Sequence, residues 1–293
     1  MTYFYFNKLY VLQSLSPNDF ALGYNQPNNN LIMTIESIKR QNRNLDWFNY
    51  ELITIDLGEN QFINVTERII TECLHNNIYP IIHFLGHGEK DNGIYIWNNN
   101  NAEYDCIVWR DLFMYLANIN KSCHNNLFFT TTACHGFDSF KQLFIEELQI
   151  IPIVGIVAID PNEEFYVDDA DIIFCEFYKT LLITRSISQA FSIVNALKPK
   201  LIGKSPYVAF SDIWFVKAYK MAADKCYTKK NVKKIISKNL VCWPDKLKRK
   251  TLSDYMKEIE VQRQLDYIHI RNQKFMFDDP KVEKARFDLP DRI

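Results

Sequence analysis

Two short motifs place a histidine and a cysteine directly after apolar, strand-like segments. Residues 81–85 lead into Gly86-His87-Gly88-Glu89, and residues 128–132 lead into Ala133-Cys134-His135-Gly136. A cysteine thiolate is a reactive nucleophile, and a neighbouring imidazole can accept its proton and later protonate a leaving amine. The two motifs therefore predict acyl transfer, with Cys134 as the nucleophile and His87 as the general acid and base.

The glycine that follows the histidine has a chemical use. Because Gly88 lacks a Cβ, its amide can approach a substrate carbonyl closely, and the Cys134 amide can point at the same oxygen. The amides of Gly88 and Cys134 are therefore predicted to form an oxyanion hole. Loss of one such donor costs about 3–4 kcal/mol in a comparable enzyme.

Other roles for these side chains have less support in the sequence. His87, Cys134 and His135 are suitable zinc ligands, but the sequence offers no evident fourth ligand, and no metal or organic cofactor is expected. His135 is an alternative base, although it adjoins Cys134 and is expected to point elsewhere.

His83 lies about 13 Å from His87 along a strand, too far for a shared metal, and is predicted to be a core or supporting residue. The remaining six cysteines are expected to be buried, reduced thiols.

The segments around the motifs predict an α/β fold, because short runs rich in Ile, Val, Phe and Tyr alternate with runs at helical spacing. The predicted strands cover residues 9–15, 50–57, 79–85, 127–132, 153–159 and 207–214, and the predicted helices cover residues 31–43, 65–76, 108–119, 139–149, 169–184 and 188–197. This order predicts a three-layer α/β/α sandwich with a mostly parallel central sheet of about six strands. Residues 93–97 predict a small hairpin after the third strand. Both motifs would then lie beyond the carboxyl ends of strands, where catalytic groups gather in such sheets.

The nearly neutral composition conceals two parts of opposite charge. The 293 residues contain 34 Lys and Arg against 35 Asp and Glu, and the 47% hydrophobic content excludes disordered and collagen-like chains. Residues 1–222 have a formal charge of −8 and residues 223–293 one of +7, with ten basic residues against one acid in residues 225–250. We therefore predict a catalytic domain over residues 1–222 and a basic, mainly helical extension over residues 223–293.

The order and spacing of the motifs resemble the caspase-like cysteine peptidases. In that family the cysteine lies in an Ala-Cys-x-Gly setting about 50 residues after the histidine, and here Cys134 follows His87 by 47 residues. The bacterial CHAT branch is the more specific resemblance, through Gly155, the helical pattern of residues 169–182 and Ile187-Ser188-Gln189-Ala190. The similarity covers about residues 5–220. It implies a caspase-like fold and a Cys-His dyad that hydrolyses peptide bonds through a thioester.

Two positions depart from the caspase pattern. Thr132 stands where caspases have Gln, and His135 stands where they have Arg, so specificity for aspartate is not expected. The helix predicted at residues 139–149 fills almost all of the chain between Cys134 and the next strand. That leaves no room for a cleavable linker, and we expect an uncut single chain.

An acidic segment after the fifth predicted strand is the predicted substrate pocket. The pocket residues are Asp160, Glu163, Glu164, Phe165, Tyr166 and Asp168. Their negative charge would favour a basic residue before the scissile bond. The alternative is that Asp168 and Asp169 only stabilise the positive end of the next helix.

The resemblance also implies a setting for the activity. The expected substrate is a protein, such as a pore-forming or signalling protein encoded nearby, in a bacterial signalling or cell-death defence pathway with an activating partner. The N-terminus does not resemble a signal peptide and the cysteines resemble reduced thiols, so a cytoplasmic location without a membrane partner is expected.

The basic extension is interpreted as a solvated face packed on the acidic domain, with nucleic-acid contact and partner docking as alternatives. A catalytically silent scaffold or regulatory module is the alternative function.

Overall fold

The structure is a computed structural model that describes residues 4–136, 151–158, 166–197, 201, 207–226, 252–284, 287 and 289–290. The helix predicted at residues 139–149 lies outside these residues. The chain divides into two compact units, Thr2–Ser211 and Asp212–Ile293 with Met1, which are described separately. The larger unit is a mixed α/β structure with a parallel sheet and helices, as the sequence predicts.

The described strands form two sheets. In chain order they are β1 (Lys8–Gln13), β2 (Asn49–Thr54), β3 (Pro80–Leu85), β4 (His87–Glu89), β5 (Gly93–Asn98), β6 (Glu103–Val108), β7 (Phe128–Thr131), β8 (Gly155–Ala158) and β9 (Tyr207–Phe210). The central sheet has the order β2-β1-β3-β7-β8-β9, in which the first five are parallel and β9 pairs antiparallel with β8. Every residue of β3, β7 and β8 is buried, as expected for central strands covered on both faces.

Five of the eight described helices pack in two groups. In chain order the eight are α1 (Pro17–Ala21), α2 (Gln26–Gln41), α3 (Glu59–Asn76), α4 (Trp109–Ser122), α5 (Val167–Thr184), α6 (Ile187–Leu197), α7 (Ser211–Cys226) and α8 (Leu252–Lys274). Helix α2 packs against α5, which packs against α6, and α3 packs against α4. Strands β2 and β3 flank β1 on opposite sides, so the chain crosses the sheet in opposite directions through α2 and α3. Because crossovers between parallel strands are right-handed, these two helices lie on opposite faces of the sheet.

One predicted strand is too long. The segment predicted at residues 207–214 is extended only to Phe210, and α7 begins at Ser211. The Ser211 amide still donates to the Val154 carbonyl at 2.9 Å, next to the β8–β9 pairing, and Asp212 then lies in the first helical turn. An acidic residue in the first turn is stabilised by the helix dipole, so Asp212 is a signal for a helix start. The apolar residues that follow it resemble a strand, and the sequence pattern therefore extended the predicted strand too far.

The small second sheet starts where β3 ends. Its strands β4, β5 and β6 are antiparallel, which confirms the hairpin predicted around residues 93–97. Ser14 joins this sheet to the end of β1, because its Oγ accepts from the Trp97 amide and donates to the Ile55 carbonyl, both at 2.8 Å. The chain that leaves β3 is therefore held at the carboxyl edge of the central sheet, with His87 as the first residue of β4.

The smaller unit has an aromatic core of its own. The ring of Phe275 lies 5.3 Å from that of Phe215 and 5.2 Å from that of Phe287, and Tyr267 is completely buried. The domain boundary predicted after residue 222 falls inside α7, and most of the basic segment at residues 225–250 lies outside the described residues. Within the described part, none of the helices combines the length and apolar character needed to cross a membrane.

Candidate active site

The structure brings His87 and Cys134 to one cavity. Strands β3 and β7 are adjacent and parallel, with His83 opposite Thr130, so the chain segments that follow them leave the sheet at the same edge. The cavity has a volume of about 450 Å³, within the range of ligand pockets. Its described lining residues are Leu15, Tyr24, Pro27, Leu85, Gly86, His87, Thr132, Cys134, Tyr166, Val167 and Ala170.

An aspartate that sequence reasoning missed holds the histidine. Asp19 Oδ1 lies 3.2 Å from His87 Nε2, and the side chain of Asp19 is only 11% exposed against 41% for His87. The imidazole also lies edge-on to two tyrosine rings, with centroid distances of 5.5 Å to Tyr104 and 6.2 Å to Tyr24. These contacts define the plane of the His87 ring before any substrate binds.

The other carboxylate oxygen of Asp19 is fully engaged. Oδ2 accepts hydrogen bonds from the Ser16 amide at 2.8 Å, from Ser16 Oγ at 2.7 Å and from the Tyr104 hydroxyl. Burial alone would raise the pKa of Asp19, but the hydrogen bonds from Tyr104 and Ser16 and the nearby His87 lower it below its usual value. Burial and the Asp19 carboxylate raise the pKa of Tyr104 to about 12, so this hydroxyl keeps its proton and remains a donor.

The contact with Asp19 has a consequence for the tautomer of His87. A carboxylate is only a hydrogen-bond acceptor, so its position 3.2 Å from Nε2 favours the neutral tautomer of His87 that carries the proton on Nε2. The lone pair then lies on Nδ1. This arrangement leaves one ring nitrogen as a base and uses the other as an anchor.

A sequence signal for Asp19 exists, but it indicates a different role. Ser16 and Asp19 form a capping box at the start of α1, in which the Asp19 amide donates to Ser16 Oγ at 3.2 Å. A Ser followed three residues later by an acid predicts such a cap. The contact with His87, 68 residues away in the chain, becomes evident only in the folded structure.

The turn that carries Cys134 is tied to β3. The Thr132 amide donates to the Phe84 carbonyl at 3.0 Å, and the Ala133 amide donates to Thr131 Oγ1 at 2.9 Å. His135 has φ +62°, a left-handed conformation that is uncommon for residues other than glycine and is typical of a sharp turn. The half-buried Cys134 is therefore presented at the cavity by a tight turn, whereas His135, the alternative base, does not line the cavity.

Gly88 lies against the backbone of Cys134. A Cβ built on Gly88 would lie 2.6 Å from the Cys134 carbonyl oxygen, 3.1 Å from Ala133 Cβ and 3.5 Å from the Cys134 amide nitrogen. The backbones of the two residues predicted to form the oxyanion hole are thus in direct contact. Only glycine fits this position without a shift of the cysteine turn.

We expect Gly88→Ala to lower kcat/KM by roughly 10²-fold or more, because the new methyl group would displace the cysteine turn by its clash with the Cys134 carbonyl. Peptide cleavage and the midpoint of thermal unfolding are the measurements. Lys90→Ala, at an exposed position two residues further on, is the control and should leave both unchanged. Full activity of Gly88→Ala would contradict the predicted role of this backbone.

The acidic pocket residues separate into three groups. Tyr166 lines the cavity, and Asp168 is exposed in the first turn of α5 and does not line it. Asp160, Glu163, Glu164 and Phe165 lie outside the described residues. Asp168 and Asp169 both lie at the positive end of α5, whose N-cap Tyr166 makes no side-chain capping bond. Their position agrees with the alternative that they stabilise the start of this helix.

His83 is a core residue, as predicted. It is 1% exposed, its Nδ1 shares a hydrogen bond of 2.7 Å with Thr130 Oγ1, and its ring lies 4.6 Å from that of Phe174. Burial lowers the pKa of His83 to about 3, so it stays neutral in the folded protein. It supports the strands that carry the two motifs and does not take part in the site.

The burial of His83 predicts a pH dependence of stability. Below its ordinary pKa of about 6.5 the unfolded chain takes up a proton that the folded chain refuses until about pH 3. The free energy of unfolding should therefore fall as the pH decreases through this window, by up to about 1.4 kcal/mol per pH unit from this residue. Denaturant unfolding at several pH values should show a smaller slope for His83→Gln than for wild type. An unchanged slope would refute this, and His75→Gln at an exposed position is the control.

Two of the six other cysteines agree with the prediction of buried thiols and one contradicts it, while the side chains of Cys226 and Cys242 lie outside the described residues. Cys73 and Cys123 are buried and Cys175 is half-buried, whereas Cys106 on β6 is exposed. The prediction is wrong for Cys106 because its strand lies in the small sheet outside the core. Within the described residues, no group of three or more His, Cys, Asp or Glu side chains is placed to hold a metal ion.

No model of a protein family matches the chain, and no curated protein sequence matches it. The functional proposal therefore rests on His87 and Cys134, which line the cavity, and on Asp19 and Gly88, which contact them.

Proposed function

We propose that the chain is a cysteine endopeptidase that hydrolyses peptide bonds in a protein substrate. The observation that carries the proposal is the cavity lined by both Cys134 and His87, at the shared carboxyl edge of β3 and β7. A thiol, an imidazole anchored through its Nε2 and a glycine backbone against the thiol residue are the parts that acyl transfer requires.

The proposed reaction starts with proton transfer from Cys134 Sγ to His87 Nδ1. The sulfur attacks the carbonyl carbon of the scissile bond, and the electron pair of the C=O bond moves to the oxygen, which accepts hydrogen bonds from the Gly88 and Cys134 amides. When the tetrahedral intermediate collapses, the C–N bond breaks, His87 protonates the leaving amine, and a thioester remains. Water then gives a proton to His87 and its oxygen to the acyl carbon. When this second tetrahedral intermediate collapses, the C–S bond breaks, the carboxylic acid product leaves, and the sulfur takes the proton back from His87.

Asp19 is a positioning residue in this proposal. Its carboxylate holds Nε2 of His87, keeps the lone pair on Nδ1 and stabilises the imidazolium that forms when the thiol is deprotonated. Ser16 and Tyr104 in turn hold the carboxylate. The proposed dyad of Cys134 and His87 thus has a third, supporting member.

The caspase-like fold is part of the same proposal. It is supported by a histidine that follows β3, a cysteine that follows the neighbouring β7, and the 47 residues between them. The CHAT-type role in signalling or cell-death defence, with a protein substrate and an activating partner, is proposed from the resemblance in sequence pattern alone.

A labelling experiment tests the proposed function. A peptide carrying an acyloxymethyl ketone should modify Cys134 and spare Cys106, since partial burial and the charges of Glu89 and Glu59 raise the pKa of the exposed Cys106 thiol. Mass spectrometry of the digested protein identifies the labelled thiol. His87→Ala should abolish labelling at Cys134. Equal labelling of both cysteines, or labelling that does not depend on His87, would contradict the proposal and favour a catalytically silent module.

A further inference from the structure

Much of the described lining of the cavity is apolar. Leu15, just after β1, is 3% exposed, and Leu85, the last residue of β3, is 5% exposed. Ala170 on α5 is 1% exposed. Pro27 and Val167 complete this apolar wall. Four separate segments of the chain therefore contribute aliphatic surface to a single space beside Cys134.

The described lining residues provide no partner for a charged side chain. They include no Asp, Glu, Lys or Arg, and their ionisable groups are two tyrosines together with the catalytic pair. A guanidinium, ammonium or carboxylate placed against these described residues would lose water without gaining an opposite charge from them, which costs several kcal/mol. An apolar side chain gains about 25 cal/mol for each Å² of surface that it buries there.

The size and rim of the cavity indicate a large side chain. Its volume of about 450 Å³ exceeds what a methyl or hydroxymethyl group would fill. Tyr24 and Tyr166, the second 42% exposed, add aromatic surface to the lining. Aromatic rings of this kind pack well against aliphatic and aromatic substrate groups.

We infer that this cavity binds a large apolar side chain, such as Leu, Met, Phe or Tyr, next to the scissile bond. The inference rests on the proposed function, because it assigns a substrate class to the same site. It differs from the expectation of a basic residue, which depended on the charge of the acidic segment. Asp168 is the only acid of the predicted pocket that the structure describes, and it does not line the cavity.

Peptide-library cleavage tests the inference directly. Wild type and Cys134→Ala are incubated with a mixture of peptides of varied sequence, and the cuts made only by wild type are identified by mass spectrometry. We expect large apolar residues to be enriched at least about tenfold over Arg, Lys, Asp and Glu at one position beside the cut. Enrichment of Arg or Lys would overturn the inference and favour the acidic segment as the pocket.

A matched pair of variants connects the preference to the cavity. Val167→Asp places a carboxylate on the apolar wall, at the first residue of α5, where the helix dipole tolerates an acid. We expect the rate of cleavage of peptides with Arg beside the cut, divided by the rate for peptides with Leu there, to rise at least about tenfold. Ile172→Asp makes the same change at a 37% exposed position of the same helix that does not line the cavity, and should leave the ratio unchanged. An equal effect of both variants, or of neither, would overturn the inference.

A binding measurement separates failure of this inference from failure of the proposed function. Fluorescence polarisation records the binding of labelled Leu- and Arg-containing peptides to Cys134→Ala protein, in which no reaction occurs. Cleavage that depends on Cys134 but shows no apolar preference refutes the inference and leaves the endopeptidase standing. Selective binding of Leu peptides, with no cleavage or labelling by wild type, supports the cavity as an apolar peptide site and refutes the endopeptidase.

Discussion

Cys134→Ala is expected to abolish peptide cleavage, with kcat falling by roughly 10⁴- to 10⁶-fold, as loss of the nucleophile does in a comparable peptidase. The reason is that no other thiol lines the described part of the cavity. Cleavage of a peptide with a large apolar residue at the cut is the measurement. The fold should be retained, since the half-buried Cys134 side chain loses only its sulfur.

The matched control for this variant is Cys106→Ala. It removes the exposed thiol from β6, which does not line the cavity, and should leave kcat and KM unchanged. Cleavage by Cys134→Ala at the wild-type rate would show that the activity does not use this cysteine. Loss of activity in both variants would indicate a general effect of the substitutions and would also contradict the assignment.

Asp19→Asn is expected to lower kcat by roughly 10²-fold, because general acid and base catalysis as a whole contributes about 10²- to 10⁴-fold. In the wild type, three donors from Ser16 and Tyr104 converge on Oδ2. The amide oxygen of the introduced asparagine would occupy that place, since an NH₂ group cannot accept these bonds. The NH₂ group would then face His87 Nε2, which is 3.2 Å from the other carboxylate oxygen in the wild type.

This exchange reverses the tautomer of His87. An NH₂ donor at Nε2 requires a lone pair on that nitrogen, so the proton of a neutral His87 moves to Nδ1, which then cannot accept the thiol proton. A purely structural role for Asp19 would instead reduce stability and leave the turnover of the folded protein intact. The two roles are separated by measuring kcat, KM and the pH dependence of the rate on folded protein. We expect kcat to fall at nearly constant KM, and the pH dependence of the rate to change.

Two further variants serve as controls for Asp19→Asn. Asp105→Asn makes the same chemical change at a half-buried carboxylate that accepts from the Glu59 amide at 3.0 Å and from Asn98 Nδ2 at 3.1 Å, and should leave kcat unchanged. Tyr104→Phe removes one donor but keeps the carboxylate facing His87, so it should cost less than Asp19→Asn. A normal kcat with only a lower melting temperature in Asp19→Asn would limit Asp19 to capping α1.

The sequence predicted the α/β class because strand and helix periodicity is a local property. Buried strands such as β3 and β8 have nearly continuous apolar sequences, and amphipathic helices such as α3 repeat their apolar residues at helical spacing. The same local reasoning failed at residues 211–214. There, the apolar residues in the first turn of α7 resemble the end of a strand, although the helix already begins at Ser211.

The sequence by itself also predicted which residues would react. His87 and Cys134 each follow a predicted strand, and the carboxyl ends of neighbouring parallel strands meet at one edge of a sheet. What it could not supply was the supporting contact of Asp19, which lies in a helix cap, or the apolar wall built from residues between 15 and 170. Only the tertiary structure decided these features. They arise where loops from distant strands converge, and that convergence depends on strand order and crossover direction, which leave no periodic pattern in the sequence.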